Sequence, residues 1–119
     1  MDGVLGKSYA KDRLNKRYLE FRYKERALVA SWATKKYGTS RPILKLVDFG
    51  AAEGLTLLEM RRLIQKKGEY IGVEYNQSLI NCAPKLPEDI KLIRGDVTDI
   101  RNIGDNSIDV VTALAVLEH

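Results

Sequence analysis

The chain has 119 residues, of which 45% are apolar and 30% are charged. This balance is typical of a folded globular domain and excludes the disordered and membrane classes, and the length suits one small domain. No apolar run reaches the roughly 20 residues of a membrane span, and the first nine residues lack the apolar core of a signal peptide. We therefore expect a cytoplasmic protein without a membrane span. A single cysteine, Cys82, excludes an internal disulfide and gives no metal-ligand spacing.

The net charge of +4 is unevenly distributed along the chain. Residues 1–42 carry eleven Lys and Arg against four Asp and Glu, whereas residues 43–119 carry nine against twelve. A basic segment of this kind can contact an anionic substrate, a nucleic acid or a membrane surface, or can be a solvated helix face. We favour the solvated face and do not expect a nucleic-acid partner.

The N-terminal segment is predicted to form one amphipathic helix over residues 12–36. Its larger apolar residues recur at spacings of three, four and seven with charges between them, and they are Leu14, Tyr18, Phe21, Leu28 and Trp32. We expect this apolar face to pack on the rest of the protein. Gly38 and Pro42 then end the helix, which predicts a basic helical arm over residues 1–42 and a separate domain over residues 43–119.

After Pro42, short apolar runs alternate with helical stretches, as in β and α units arranged around a parallel sheet. Strands are predicted over residues 43–49, 70–75, 90–94 and 108–114, and helices over residues 55–67 and 76–81. Gly68 is expected to end the first of these helices, and Asn76 to cap the second. The fold class predicted is α/β, a Rossmann-like three-layer α/β/α sandwich with a mostly parallel sheet.

A glycine-containing loop joins the first predicted strand to the helix that follows it, in the sequence Asp48-Phe49-Gly50-Ala51-Ala52-Glu53-Gly54. Glycine lacks the Cβ that would block a ligand from the backbone, and a helix N-terminus presents free N–H groups. The G-x-x-x-G spacing differs from the G-x-G-x-x-G of dinucleotide pyrophosphate sites. Taken alone, this loop indicates only a generic nucleotide-binding turn.

Acidic residues at the ends of three predicted strands narrow this interpretation. Asp48 precedes the loop, Glu74 ends the second strand, and Asp96 follows the third. Each could separately be a cap, a turn former or a surface group. In a parallel sheet, however, all three lie at the carboxyl edge, beside the crevice where open α/β folds bind ligands. We therefore expect them to form one site.

Residues 43–119 resemble the class I S-adenosylmethionine-dependent methyltransferases, particularly the small-molecule, methyltransferase type 11-like branch that includes ubiquinone-biosynthesis enzymes. The loop is similar to the family motif acidic-x-Gly-x-Gly-x-Gly, with Ala52 in place of the middle glycine, a replacement that is tolerable if φ stays negative there. The segment 109–119 resembles the family's fourth strand and the start of its next helix.

The resemblance implies a role for each residue that binds the methyl donor. Glu74 would accept both ribose hydroxyls, Tyr75 would stack on the adenine, and Asp96 would accept the adenine amino group. The Val97 N–H would meet a ring nitrogen. The full set implied is Asp48, Gly50, Ala51, Ala52, Gly54, Glu74, Tyr75, Asp96, Val97 and Ala113.

Two further roles in that set concern the methionine part of the donor. Ala113 or Leu114 would face it, and Asp48 would hold the loop and the donor's ammonium group. Because the donor carries a sulfonium and an ammonium, a lining of carboxylates favours it over a phosphate-rich dinucleotide. Two alternatives stay open, namely a non-catalytic S-adenosylmethionine-binding module and an NAD(P)-binding Rossmann oxidoreductase fragment.

The end of the sequence assigns neither a catalytic residue nor a metal. Ala115 stands where related metal-binding enzymes have a glutamate ahead of Glu118-His119, so we expect no metal. His119 is a candidate general base, although Leu117-Glu118-His119 also matches the start of a common affinity tag. The aromatic residues of the basic arm either pack the helix or belong to a lid, and they are Tyr9, Tyr18, Tyr23 and Trp32. In a lid, the resemblance implies that Tyr9, Arg22 or Tyr23 would reach the donor's carboxylate or the acceptor.

The resemblance also implies an incomplete sheet, since the family has seven strands and four are predicted here. We therefore expect a truncated fragment with little or no activity, whose fourth strand exposes Val110, Val111, Leu114 and Leu117 at a free edge. A homodimer through that edge is the predicted assembly. The acceptor is expected to be a small molecule of unknown identity.

Overall fold

The protein is described by a computed structural model that covers residues 17–37, 42–96 and 108–113, with side chains from Glu20 onward. The elements in chain order are α1 (Arg17–Tyr37), β1 (Leu44–Phe49), α2 (Leu55–Ile64), β2 (Gly68–Glu74), α3 (Gln77–Asn81), β3 (Ile90–Arg94) and β4 (Val110–Thr112). The four strands form one parallel sheet in the order β3-β2-β1-β4. The predicted Rossmann-like α/β class is confirmed.

The central strand β1 is buried on both faces, as its nearly continuous apolar sequence predicts for a parallel sheet. Leu44 and Leu46 point into a core that α1 and α2 share with one face of the sheet. Val47 and Phe49 belong to a second apolar cluster on the opposite face. The side-chain alternation of a strand thus divides β1 between the two clusters.

The end of α2 differs from the prediction that the helix continues to Lys67. The helix ends at Ile64, and Gln65 adopts a left-handed conformation with φ 55°, its N–H reaching the carbonyl of Arg61. The carbonyl of Lys67 instead accepts the N–H of Leu44 at 2.9 Å. Pairing with β1 therefore extends this segment before Gly68, which begins β2 and does not end the helix as expected.

Helix α1 packs against α2 with the face opposite to the one predicted. The expected contact residues Phe21, Leu28 and Trp32 are 65%, 58% and 57% exposed. The face that is buried consists of small side chains, Ala27, Ala30, Ser31 and Thr34, which follow the i, i+3, i+4, i+7 pattern. Small residues allow two helices to approach closely, and this outweighs the larger apolar area on the other side. Leu14 and the side chain of Tyr18 lie outside the described residues.

The remaining predicted elements lie close to their expected positions. β3 spans the residues predicted, β4 lies inside its predicted range, and the Asn76 side chain caps α3 by accepting the N–H of Ser78 at 2.9 Å. Ala27 and Ala30 of α1 belong to the same core as the sheet; the division into an arm and a domain at residue 42 stays a prediction. None of the helices in the described part of the chain has the length and apolar character to cross a bilayer.

Candidate functional site

The strand order predicts a ligand-binding crevice at one edge of the sheet. From β1 the chain proceeds to β2 and β3 on one side, whereas β4 pairs with β1 on the other. The carboxyl ends of β1 and β4 therefore lie at a topological switch point, the place where open α/β sheets bind ligands. Asp48, Glu74, Asp96 and Ala113 all lie at this edge, as the sequence predicts for parallel strands.

The loop after β1 turns sharply beside this crevice. Gly50 and Gly54 have φ angles of 76° and 88°, in the left-handed region where glycine avoids the steric cost of a Cβ. The N–H groups of Gly50 and Ala51 both donate to the carbonyl of Val73, at 2.8 and 3.2 Å. The loop is thereby attached to the carboxyl end of β2, and Gly54 leads directly into α2.

Ala52 does not have the negative φ on which its tolerance in place of glycine depended. Its φ is 54°, so an L-residue occupies a left-handed conformation, at a cost of roughly 1–2 kcal/mol. In this conformation the Ala52 N–H donates to Oε1 of Glu74 at 2.8 Å. This charge-assisted hydrogen bond, which the sequence does not predict, helps to hold the unfavourable backbone conformation in place.

Glu74 connects the two turns that border the crevice. Its Oε1 accepts the N–H of Ala52, and its Oε2 accepts the N–H of Asn76 at 2.9 Å. The residue is 9% exposed. Since an ionised carboxylate has about four acceptor positions, both oxygens keep capacity for hydroxyl donors from a ligand. The sequence predicts that Glu74 faces the ligand, but it does not predict the attachment of Glu74 to the loop.

Asp48 is a buried acid whose pKa is raised in this site. It is 3% exposed, and its Oδ1 accepts the hydroxyl hydrogen of Thr112 at 2.7 Å. The pKa of Asp48 is raised from 3.8 to about 6. Burial is the largest cause, the hydrogen bond from Thr112 acts in the opposite direction, and the nearby charge of Glu74 adds to the rise. The carboxylate is thus ionised at neutral pH at an energetic cost, which a cationic group would reduce.

The other predicted site residues differ in their exposure. The Tyr75 side chain is 66% exposed, so one ring at this edge is accessible for stacking. Asp96 is exposed, and Ala113 is half-buried against the cluster that contains Val47 and Phe49. Several residues discussed from the sequence lie outside the described part of the chain, namely Tyr9, Leu14, Gly38, Val97, Leu114, Ala115, Leu117, Glu118 and His119.

Two residues at this edge were missed from the sequence. The sequence predicts only that Thr112 lies in a strand, yet its hydroxyl donates to Asp48. Gly72 lies beneath the loop, where a Cβ would come within 2.5 Å of Leu92 Cδ2 and 2.7 Å of Ala51 Cβ. A glycine inside an apolar strand is a signal of close approach, and that signal was available for Gly72.

The sequence of residues 47–119 matches the family model described as a methyltransferase domain. The chain belongs to this methyltransferase domain family. The match includes Asp48, the glycine loop and Glu74, which are the residues that carried the resemblance. The family expected from the sequence is therefore confirmed.

The methyltransferase domain is also similar to solved structures of the plantazolicin methyltransferase BpumL. A complex with a pentazolic desmethylPZN analog and SAH has a TM-score of 0.52 and 17% identity, covering 77% of this chain and 34% of that one. A complex with SAH has a TM-score of 0.51 and 16% identity, and the match covers 92% of this chain and 46% of that one. Identities this low show a shared fold, and the chain spans between a third and a half of the length of these proteins. No curated protein has a matching sequence.

Proposed function

We propose that this chain forms the S-adenosylmethionine-binding part of a methyltransferase that acts on a small-molecule acceptor. The observation that carries the proposal is the meeting of two buried carboxylates, Asp48 and Glu74, beside the left-handed loop at the β1/β4 switch point. Family membership supports the reaction, and the SAH complexes of BpumL, which share the fold, support the donor.

The chemistry of these groups fits the methyl donor. Both oxygens of Glu74 can still accept hydrogen bonds from the two ribose hydroxyls. Tyr75 offers an exposed ring for the adenine after β2, and Ala113 lies after β4, two strands away, where the methionine part would bind. Asp48 is a buried anion whose ionisation a cationic ligand would favour. The same carboxylates would repel the pyrophosphate of NAD(P), so the charge of the site disfavours the oxidoreductase alternative.

The bound donor supplies a methyl carbon on a sulfonium, open to in-line displacement by an oxygen, nitrogen or carbon nucleophile. The chain's own contribution is to bind and orient. Glu74 fixes the ribose end relative to the loop, and Asp48 holds the ammonium end near β4. Positioning of this kind, together with exclusion of water, can accelerate methyl transfer, because the displacement needs little proton transfer.

Calorimetric titration of the chain with S-adenosylhomocysteine, NAD and NADP tests the proposal. Glu74→Ala should weaken S-adenosylhomocysteine binding by about 2 kcal/mol, because it removes charge-assisted hydrogen bonds. Glu69→Ala is the matched control, since Glu69 is an exposed glutamate at the opposite end of β2, and it should bind like the unchanged chain. Circular dichroism of both variants checks that they fold. Binding of NAD but not S-adenosylhomocysteine would reject the proposal, and unchanged affinity in Glu74→Ala would remove that residue from the site.

The acceptor and the catalytic activity require a separate assay. We propose a small-molecule acceptor. One structure of BpumL, which shares the fold, is a complex with a pentazolic desmethylPZN analog and SAH. Transfer of a labelled methyl group from S-adenosylmethionine to a panel of quinones, sugars, lipids and small metabolites would identify it. Transfer to any acceptor would reject the non-catalytic binding module, whereas donor binding without transfer is expected both from that module and from a truncated fragment.

A homodimer through β4 is the assembly that we propose. In the described sheet β4 is an outer strand, and Val111 on it is 52% exposed, so an apolar edge is accessible for pairing. Light scattering at several concentrations tests this assembly, and a monodisperse monomer would contradict it. The cytoplasmic location and the lack of a nucleic-acid partner stay predictions.

A further inference from the structure

Thr112 is held directly opposite Asp48 by the pairing of β4 with β1. The two residues are partners in the parallel register, so their side chains lie on the same face of adjacent strands. Asp109, the residue immediately before β4, helps to fix this register. Its N–H donates to the carbonyl of Lys45, and its Oδ2 accepts the Lys45 N–H, both at 2.8 Å. The hydroxyl of Thr112 therefore has a defined position beside Asp48.

We propose that Thr112 is a positioning residue for the methyl donor. By donating its hydroxyl hydrogen to Oδ1 of Asp48, Thr112 keeps that buried carboxylate charged and fixes its orientation, which leaves Oδ2 to receive the donor's ammonium group. This inference rests on the proposed function, because it assigns Asp48 to the ammonium of the donor.

The electrostatic situation of Asp48 explains why one hydroxyl has this effect. Burial opposes the charge on Asp48, and the carboxylate of Glu74 on the neighbouring strand opposes it further. Among the side chains that the structure describes, Thr112 is the one that donates a hydrogen bond to this carboxylate. A hydrogen bond to the charged form favours that form. Without the hydroxyl, Asp48 would take up a proton at a higher pH and would lose its fixed orientation.

The first experiment measures Asp48 without any ligand. Thr112→Val keeps the shape of the side chain and removes the donor, whereas Thr112→Ser keeps the donor. In a carbon-detected NMR titration of the side-chain carboxyls, Thr112→Val should move the titration midpoint of Asp48 upward, and Thr112→Ser should stay near the unchanged chain. Equal midpoints in all three proteins would overturn the proposal.

The second experiment measures binding of S-adenosylhomocysteine against pH. The unchanged chain should lose affinity as the pH falls through about 6, where Asp48 takes up its proton. Thr112→Val should lose affinity at a higher pH and bind about tenfold more weakly at pH 6.5, and Thr112→Ser should restore binding. Asp48→Asn should bind weakly at every pH.

These experiments distinguish failure of the proposed function from failure of the positioning role of Thr112. If the unchanged chain does not bind S-adenosylhomocysteine, the proposed function fails, while the NMR titration still tests the contact between Thr112 and Asp48. If the chain binds and Thr112→Val binds equally well with the same pH profile, the positioning role of Thr112 is wrong. Because the valine variant could be poorly folded, its far-UV circular dichroism is compared with that of Thr112→Ser, and a defect shared by both variants counts against the proposal.

Discussion

Ala52 and Ala51 form a matched pair that measures the cost of the left-handed loop. They are adjacent alanines, 6% and 3% exposed, but only Ala52 has a positive φ, at 54°. Replacing each in turn by glycine changes the same atoms in nearly the same surroundings. The backbone conformation is the main difference between the two sites.

The expected difference in the free energy of unfolding between the two variants comes from the backbone conformation, because the other contributions are the same for both. Each substitution removes one buried methyl, worth about 0.8 kcal/mol, and each adds about 0.4–1 kcal/mol of conformational entropy to the unfolded chain. Only Ala52→Gly also relieves the left-handed conformation, which costs an L-residue about 1–2 kcal/mol. Ala52→Gly should therefore be more stable than Ala51→Gly by about 1–2 kcal/mol.

Equilibrium urea unfolding, followed by far-UV circular dichroism, measures this difference in the free energy of unfolding. Gln65→Gly serves as a second test, because Gln65 also has a positive φ, at 55°, and its side chain is exposed. That variant should gain stability outright, by about 0.5–1 kcal/mol, since no buried methyl is lost. If Ala51→Gly were as stable as Ala52→Gly, the loop would not carry the strain that its dihedral angle indicates.

Three further substitutions test the energetics of the site and the core. With a folded pKa of about 6 against an ordinary 3.8, Asp48 binds more protons when folded, so stability falls as pH rises through that window. Asp48→Asn should therefore raise the free energy of unfolding by about 3 kcal/mol at pH 7.5 but by only about 1 kcal/mol at pH 4.5. Equal increases at the two pH values in urea unfolding would refute this. Gly72→Ala should lose about 2 kcal/mol, because its Cβ would lie 2.5 Å from Leu92 Cδ2; an unchanged thermal midpoint would contradict the close packing. Tyr70→Phe should lose about 1 kcal/mol with its 2.6 Å hydrogen bond to the Lys66 carbonyl, and a neutral effect in denaturant unfolding would show that this bond contributes nothing.

The parts of the fold that the sequence predicts well are those set by a single local pattern. β3 and the Asn76 cap follow from an apolar run and a capping side chain, and both occur where expected. The convergence of Asp48 and Glu74 follows from the parallel sheet alone, because the ends of neighbouring parallel strands meet at one edge. None of these predictions needed information from a distant part of the chain.

The predictions that failed depend on a partner far along the sequence. Phe21 and Trp32 were expected to be buried because they are large and apolar, but the close approach of α1 to α2 requires small residues such as Ala27. The positive φ of Ala52 is accompanied by a hydrogen bond to Glu74, 22 residues away. Periodicity and spacing contain neither kind of information.

The outward position of Trp32 decides how this protein can be followed by fluorescence. It is the only tryptophan in the chain, it is 57% exposed, and the Lys36 ammonium lies 4.9 Å from its ring centroid. Its emission will therefore resemble that of a solvated indole even in the native state, and it will shift little when the sheet melts. The same ring would respond strongly to any molecule that covers the outer face of α1. Its fluorescence is therefore a poor probe of unfolding and a sensitive probe of binding at that surface.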